Sequence, residues 1–332
     1  MKAIALISGG LDSLLAAKLI QEQGVDIIPI NFQTPFYQRA KKCAQPDKFE
    51  RISKALNTPI NKVDIGQDFL GLFLNPRYGF GSNMNPCIDC KILMLSKARG
   101  LMSELGASFV VTGEVLGQRP MSQHKQALSN IIKQAGLEGL LVRPLSAQLL
   151  PETVPEAQGW ISRDKLLRFN GRGRRAQLAL AEKFGIKEYS QPAGGCLLTE
   201  VEYSNRLRDL INYKQLTLKN IVILKIGRHF RFNEYAKLVV ARDEHEGNML
   251  EGYAESGDYL FMPRADIAGP TALGRGKFDS QMIKLASNIV CYYCDLVHPK
   301  ATDIICRDIN AGSNSQIRAV SIASDQLEAI RL

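Results

Sequence analysis

Short apolar runs alternate with segments of helical spacing over the first 112 residues. The predicted strands are Ala3–Ile7, Val25–Phe32, Ile60–Ile65 and Ser108–Thr112, and the predicted helices are Leu14–Ile20, Lys48–Leu56 and Cys90–Leu105. Strands that alternate with helices in this way are typical of βαβ units. The pattern therefore predicts an α/β fold with a mostly parallel sheet, whose sites lie at the carboxyl ends of the strands.

After residue 213 short strands and turns replace this regular alternation. The predicted strands there are Ile221–Gly227, His229–Phe232, Ala236–Arg242, Tyr259–Pro263, Asp303–Asp308 and Gln316–Ile322, and the predicted helices of the second half are Ala176–Phe184, Glu200–Asn212 and Gln281–Tyr293. Such a mixture predicts a C-terminal α+β domain. We place the two domains at residues 1–214 and 215–332.

Composition agrees with a folded chain of two domains. The 332 residues are 45% hydrophobic and 23% charged, which are ordinary values for globular proteins. No stretch approaches the ~20 apolar residues that a membrane span needs. The first residues already read as a strand and make a poor signal peptide, so we expect a cytoplasmic protein that contacts no membrane.

The net charge of +9 is concentrated in one segment. Between Trp160 and Lys187 there are eight basic residues and two acidic ones. Such a local excess is what a surface that binds a polyanion would show, and Arg is the better bidentate phosphate ligand. Arg172, Arg174 and Arg175 are therefore candidate RNA contacts. The alternative is a solvated helix with spare charges.

A glycine-rich loop, SGGLDS, occupies residues 8–13 between the first strand and the first helix. Gly9 and Gly10 let the backbone curl so that successive amides point into one concavity, and Ser8, Ser13 and the helix start add donors. The loop is neither a Walker A nor a Gly-x-Gly-x-x-Gly pattern. We interpret it as a phosphate cradle. The alternative is a tight turn that caps the helix, with Asp12 as a first-turn acid.

Three of the seven cysteines suggest chemistry. Cys87 and Cys90 form a C-x-x-C pair at a helix start, and Cys196 follows a Gly-Gly pair. An odd cysteine count in a cytoplasmic chain argues against a disulfide framework. Ligation of a 4Fe–4S cluster, a catalytic pair that passes a persulfide, and burial or a zinc site all remain open. Cys291 and Cys294 lie on an apolar helix and are expected to pack in a core, and Cys43 is assigned no role.

These residues resemble a known family. SGGLDS matches the pyrophosphate-binding loop of the PP-loop ATP pyrophosphatases, which have a Rossmann-like adenine nucleotide alpha hydrolase fold. Together with Thr112–Gln118 and Leu141–Leu145, it resembles the catalytic domain of tRNA 4-thiouridine synthetases. The segment NPCIDC at residues 85–90 and the later Cys196 look like the cysteines of tRNA 2-thiouridylases and of cluster-bearing tRNA thiolases.

The resemblance implies an ATP-dependent tRNA sulfurtransferase. ATP would adenylate a uracil carbonyl oxygen, and sulfur from a desulfurase persulfide or inorganic sulfide would displace AMP, giving 2-thiouridine or 4-thiouridine. By position, the nucleotide and Mg²⁺ would be held by Ser8, Gly9, Gly10, Asp12, Ser13, Phe32, Gly113 and Gln118. A 4Fe–4S cluster would be ligated by Cys87, Cys90 and Cys196, and the residues expected to be catalytic are Asp12, Cys87 and Cys196.

The C-terminal part resembles the NFACT-R type of RNA-associated domain. The similarity lies in G-R-H-F-R at residues 227–231, V-V-A-R-D-E at 239–244 and I-x-G-P-T at 267–271. It makes Arg228, His229 and Arg231 candidate RNA contacts, although these side chains could equally form a solvated strand edge.

Two rival functions remain open at this level. One is a PP-loop ligase or amidotransferase with a nitrogen nucleophile, for which no glutaminase motif is visible. The other is a non-catalytic RNA- or ribosome-binding protein with a degenerate ATP domain, against which the intact SGGLDS loop argues. The oligomeric state is undetermined, and a dimer is possible.

Overall fold

The computed structural model describes residues 1–36, 48–186, 196–295 and 301–332. Cys43, Lys187 and the Gly194–Gly195 pair lie outside these ranges. The chain divides into two compact units, Met1–Thr199 and Glu200–Leu332. In the described part, no helix is long and apolar enough to cross a membrane.

The first unit is built on a five-stranded parallel sheet in the order β3-β2-β1-β4-β5. Its strands are β1 (Lys2–Leu6), β2 (Asp26–Gln33), β3 (Asn61–Asp64), β4 (Phe109–Thr112) and β5 (Leu141–Val142). The predicted Rossmann-like α/β class is therefore confirmed. Because the chain runs from β1 outward to β3 and then crosses to β4, the switch point of the topology lies between β1 and β4, where ligands bind in such sheets.

Seven helices surround this sheet in the described part of the first unit. They are α1 (Leu11–Gln21), α2 (Lys48–Leu56), α3 (Gly66–Leu74), α4 (Cys87–Leu105), α5 (Lys125–Ala135), α6 (Val154–Ala157) and α7 (Arg175–Lys183). The central strand is buried on both faces, with Ala3, Ile4 and Ala5 at most 1% exposed. This explains why β1 is a continuous apolar run instead of an alternating one.

The second unit carries a six-stranded antiparallel sheet in the order β11-β10-β8-β9-β7-β6. Its strands are β6 (Arg228–Arg231), β7 (Ala236–Val240), β8 (Tyr259–Pro263), β9 (Ala272–Gly276), β10 (Ala301–Asp308) and β11 (Asn314–Val320). Its helices are α8 (Val201–Asn212), α9 (Leu218–Ile223), α10 (Glu244–Gly252), α11 (Ser280–Tyr292) and α12 (Ser324–Ala329). The predicted α+β character is present, and Cys291 of α11 and Cys294, two residues after the helix ends, are buried in the core as expected.

Two local features differ from the sequence-based expectation. The predicted strand Ile221–Gly227 is wrong, because its first residues complete helix α9 and Thr217 caps that helix by accepting a hydrogen bond from the Asn220 amide at 3.2 Å. The unit division falls before α8 instead of after it. Helix α8 is tied to the second sheet by Asp209, which pairs with Arg231 of β6 and Lys237 of β7.

Candidate nucleotide and cysteine site

The SGGLDS loop joins the end of β1 to the start of α1 at the switch point of the parallel sheet. Ser13 Oγ donates to the Gly10 carbonyl at 2.8 Å and accepts from the Ser8 amide at 3.2 Å. Gly9 has φ +85°, a conformation that favours glycine. The loop is thus held in shape by its own residues, with the positive end of α1 at its mouth.

Gly113 and Gln118 close over this loop from the neighbouring strand. A Cβ at Gly113 would lie 2.5 Å from backbone atoms of Asp12 and Ser13, so no larger residue fits there without displacing the helix start. Gln118 Nε2 donates to Asp12 Oδ2 at 2.9 Å. The other carboxylate oxygen of Asp12 is buried without a hydrogen-bond partner among the described residues. That oxygen is a ready acceptor for a ligand donor or a bound cation.

Phe32 lies near the carboxyl end of β2 and is 3% exposed. The adjacent Asn31 donates from Nδ2 to the Ile7 carbonyl at 2.7 Å, which ties this strand end to the start of the SGGLDS loop. The structure therefore places Phe32 at the expected edge of the sheet, with its ring covered by protein.

A buried ion network lies beside the loop. Glu114, 2% exposed, accepts from Arg143 Nε at 2.8 Å and from Thr112 Oγ1 at 3.2 Å, and Lys91 Nζ lies 3.5 Å from its other oxygen. Burial by itself would raise the pKa of Glu114, but the two cations and the hydrogen bonds lower it to about 2. The carboxylate therefore stays ionised and joins the ends of β4 and β5 to α4.

Cys87 and Cys90 lie in the first turn of α4. Cys87 Sγ is 3.7 Å from Ser122 Oγ and 3.8 Å from Asn85 Nδ2. Burial raises the pKa of the half-buried Cys90 thiol to about 12, with Lys91 acting against the rise and the neighbouring Cys87 and Cys196 adding to it. The three cysteines are thus close enough to interact electrostatically.

The chain returns Cys196 to this helix through a short turn. Thr199 donates to the Cys196 carbonyl from its amide at 2.9 Å and from Oγ1 at 2.7 Å. Leu198 and Thr199 in turn accept hydrogen bonds from the segment that precedes α4, through the Met84 amide and the Asn83 side chain. No group of three or more His, Cys, Asp or Glu side chains in the described ranges is gathered closely enough to hold a metal ion.

The three candidate RNA contacts of the basic segment between Trp160 and Lys187, which are Arg172, Arg174 and Arg175, lie just before and at the start of α7. Arg172 and Arg175 are exposed and Arg174 is half-buried. Nothing in the described structure pairs Arg172 or Arg175 with an acidic side chain, so both are open to an external anion.

The three candidate RNA contacts on β6 have different surroundings. Arg228 is half-buried, with its guanidinium 4.5 Å from the centre of the Tyr293 ring. His229 is fully buried, its Nε2 is 2.7 Å from the Ile226 carbonyl, and burial holds its pKa well below the usual range. The Arg231 side chain is 8% exposed and pairs with Asp209, Nε to Oδ1 at 2.9 Å. His229 and Arg231 therefore have internal partners and little exposed surface, whereas Arg228 is more accessible, and the RNA contacts of all three residues stay a prediction.

The sequence-based search missed the Glu114–Arg143 pair as part of the site. Arg143 directly follows β5, Glu114 lies two residues after the neighbouring β4, and this placement was the available signal. Lys91 directly follows Cys90 and was assigned no role.

The loop at the switch point of this α/β domain, closed by Gly113 and Gln118, resembles the phosphate-binding loop of PP-loop proteins. Residues 1–135 match the family model of the tRNA methyl transferase HUP domain. Residues 227–331 match the model of the NFACT protein RNA binding domain. The chain thus resembles PP-loop tRNA thiolases in its first part and NFACT-R domains in its second.

Named relatives fall in the same group. A "tRNA-specific 2-thiouridylase MnmA" of Geotalea uraniireducens is 30% identical over 132 residues, covering 34% of this chain and 34% of its own. A "Probable tRNA sulfurtransferase" of Methanosarcina mazei is 34% identical over 119 residues, covering 35% and 29%. The chain therefore spans about a third of the length of these relatives.

Among solved structures, the "U34-tRNA thiolase NcsA from Methanococcus maripaludis with its [4Fe-4S] cluster" is similar with 18% identity and a TM-score of 0.32. The match covers 68% of this chain and 70% of that chain.

Proposed function

We propose that this protein is an ATP-dependent tRNA-uridine thiolase. The uracil carbonyl oxygen attacks the α-phosphorus of ATP, the bond between the α-phosphorus and the bridging oxygen breaks, and pyrophosphate leaves. Sulfur then attacks the uracil carbon that carries the adenylated oxygen, and AMP leaves with that oxygen. tRNA is the substrate, and a cytoplasmic location is part of the proposal.

One observation carries this proposal. The segment Gly113–Gln123 contacts both the nucleotide loop and the cysteine helix. Its Gly113 abuts the loop backbone, and Gln118 binds Asp12. Its Ser122 is 3.7 Å from the Cys87 sulfur. An adenylated base and a sulfur-bearing cysteine must meet in this reaction, and a single short segment that contacts both parts supports such a meeting.

The residues of the loop supply the first step. The amides of residues 9–13 and the Ser8 hydroxyl would bind the pyrophosphate that leaves, because a helix start stabilises negative charge. Asp12 would use its buried unpaired oxygen to hold Mg²⁺ on the phosphates, since hard cations take carboxylate ligands. Gln118 fixes the orientation of that carboxylate.

Cys87, Cys90 and Cys196 would hold a 4Fe–4S cluster. Thiols are the donors that iron–sulfur clusters take, and Cys87 and Cys90 share the first turn of α4, although the described structure does not gather the three cysteines into a preformed metal site. Binding would draw the sulfur atoms together. When bound, the cluster would supply an iron with one coordination position that the chain does not occupy. If no cluster is present, Cys196 would receive its outer sulfur from the persulfide of a desulfurase, whose own cysteine leaves as a thiol. That sulfur would attack the uracil carbon as AMP leaves, and the Cys87 thiol would then attack Cys196, forming a disulfide and releasing the thiolated uridine.

The exposed Arg172 and Arg175, with Arg174 beside them, would bind tRNA phosphates. In the second unit, Arg228 is the remaining β6 residue available for RNA. The uridine in a stacked stem is poorly accessible, so it would swing out of the stem to react.

Reconstitution tests the proposal. Unfractionated tRNA from a strain that lacks the gene is incubated with protein purified without air, ATP, Mg²⁺ and sulfide. AMP, pyrophosphate and thiolated nucleosides are then quantified. We expect one AMP and one pyrophosphate for each 2-thiouridine or 4-thiouridine formed. Hydrolysis of ATP to ADP, or ATP cleavage with no sulfur in the RNA, would contradict the proposal.

Iron content tests the cysteine assignment separately. Protein purified without air should contain about four irons per chain. Replacing Cys87, Cys90 or Cys196 by Ala should lose them, whereas Cys291→Ala should keep them because that side chain is buried in the other unit. Iron-free protein that thiolates tRNA with a cysteine desulfurase and cysteine as the sulfur source would overturn the cluster and favour a persulfide on Cys196.

A further inference from the structure

A segment with two aromatic residues is held against the cysteine helix by Asp89, one of the two residues between Cys87 and Cys90. This segment, Arg77–Phe80, is termed the aromatic segment below. Asp89 is 7% exposed, and its Oδ1 and Oδ2 accept the backbone amides of Arg77 at 3.2 Å and Tyr78 at 3.1 Å. A buried carboxylate that accepts two amides fixes the backbone it binds. The turn that presents Cys87 and Cys90 therefore also positions the aromatic segment.

A second set of contacts holds the end of the aromatic segment near the sulfur atoms. The Gly81 amide donates to the Asn85 carbonyl at 2.8 Å, and the Asn85 side chain lies 3.8 Å from Cys87 Sγ. A Cβ at Gly81 would be 2.4 Å from Met121 Sδ, so these two residues are in close contact. Met121 precedes Ser122, the residue beside Cys87. Phe80 therefore directly precedes Gly81, which contacts Asn85 and Met121, and these are a neighbour of the Cys87 sulfur and the residue before another neighbour, Ser122.

The side chains of the aromatic segment are chemically suited to nucleobases. Phe80 is 36% exposed, although a large aromatic side chain is normally buried. Tyr78 is half-buried, and the Arg77 guanidinium lies 5.8 Å from its ring centre. Arg119 is exposed and close enough to Cys90 to affect its thiol. Exposed rings with neighbouring arginines are what proteins use to stack and hold unpaired bases.

We propose that Phe80, supported by Tyr78, stacks on an unpaired base of the RNA substrate beside the cysteines, and that Asp89 is the positioning residue of this platform. This inference rests on the proposed function, because it needs RNA at the cysteine helix. It adds a base-binding element that neither the nucleotide loop nor the basic segment provides.

Kinetics with variants of Phe80 test the stacking. We expect Phe80→Ala to lower kcat/KM for tRNA about tenfold or more, since base–aromatic stacking is worth on the order of 1–3 kcal/mol. Phe80→Trp should retain activity because it keeps an aromatic face. The affinity for ATP should not change in either variant. Leu74→Ala is the matched control, because Leu74 is also an exposed apolar residue of this unit, 69% exposed.

Photocrosslinking gives a readout that does not depend on turnover. A short single-stranded RNA that contains 5-iodouridine is irradiated with the protein, and the attached residue is identified by mass spectrometry. We expect attachment at Phe80 or Tyr78. Asp89→Asn keeps only one acceptor oxygen, so it should lower the yield at these positions while the protein remains folded and binds ATP normally.

The outcomes separate the two proposals. If the wild-type protein thiolates tRNA and Phe80→Ala matches it in kcat/KM, the stacking inference is overturned and the proposed function stands. Crosslinks that never map to residues 77–80 overturn the inference whatever the thiolation assay shows. Wild-type protein that crosslinks at Phe80 but forms no thiolated nucleoside supports the platform and overturns the proposed function.

Discussion

The nucleotide loop and strand β6 both carry polar motifs, but the polar side chains have different surroundings in the two places. In the loop, the polar groups satisfy one another only in part, and one oxygen of the half-exposed Asp12 has no hydrogen-bond partner among the described residues. On β6, Arg231 pairs with Asp209, and the fully buried His229 contacts the Ile226 carbonyl through Nε2, while its Nδ1 has no partner in the described part of the chain. An unsatisfied polar group therefore predicts a ligand site only where its side chain also reaches the surface, as it does at Asp12.

The largest effect is expected at the loop. Asp12→Ala removes the unpaired oxygen and the Gln118 acceptor, so pyrophosphate release in the presence of tRNA should fall on the order of 100-fold or more. The unfolding temperature should change little, because Asp12 is a partly exposed loop residue. Glu104→Ala, at an exposed acid of α4, is the matched control. Unchanged pyrophosphate release in the Asp12 variant would remove the loop from the mechanism.

On β6, the effect of a substitution on stability should differ from its effect on RNA binding. Among the described ion pairs, Arg231→Gln leaves the buried Asp209 with Lys237 alone, which should cost about 3 kcal/mol of unfolding free energy. Arg228→Gln should cost less, because its guanidinium is half-buried and stacks on Tyr293. Urea unfolding and tRNA titration of both variants measure the two effects. If Arg231→Gln were fully stable and weakened RNA binding, β6 would be an RNA surface after all.

The Glu114 network should make the stability of the first unit depend on pH in the acid range. Its carboxyl has a pKa of about 2 when folded and an ordinary value of 4.5 when unfolded. The folded state therefore favours the ionised form, and this stabilisation is complete above pH 4.5 and is lost as the pH falls toward 2. The contribution is at most about 3 kcal/mol.

Unfolding free energies between pH 6 and 2.5 measure this dependence, with Glu114→Gln as the comparison. As the pH falls across that range, the unfolding free energy of the wild-type protein should approach that of the variant. Two parallel curves would show that Glu114 does not titrate with folding.

The smallest effect is expected from the basic segment. Charge reversal at Arg172 and Arg175 should weaken tRNA binding a few-fold at 150 mM salt and reduce the dependence of log Kd on log salt by about one to two. Lys54→Glu, which changes an equally charged side chain on α2, serves as the control. Identical salt slopes in all three proteins would exclude the basic segment from the RNA surface.

The fold of the first unit could be predicted because burial on both faces gives its strands continuous apolar runs, as in Ala3–Ile7. The loop could be predicted because the contacts that shape it lie within six consecutive residues. The segment Ile221–Gly227 was mispredicted because β-branched residues favour strands, whereas the cap at Thr217 and tertiary packing fold its start as a helix. Helix α10 carried a signal that was missed, Asp243 with Glu246 three residues later.

Contacts between distant parts of the sequence could not be predicted. The Glu114 network joins residues 91, 114 and 143, and the Asp89 contacts reach back to residues 77 and 78. The pairing that removes Arg231 from the surface likewise spans 22 residues. Spacing rules describe neighbours within one element, and these pairs depend on which elements the fold brings together.

Nucleoside analysis of cellular tRNA tests the central claim most directly. tRNA from a strain that lacks the gene, and from the same strain carrying the wild-type or the Asp12→Ala gene, is digested and examined by mass spectrometry. We predict that one thiolated uridine is missing in the deletion strain, returns with the wild-type gene and stays missing with Asp12→Ala. Unchanged thiolated uridines in the deletion strain, or full recovery with Asp12→Ala, would contradict ATP-dependent thiolation by this protein.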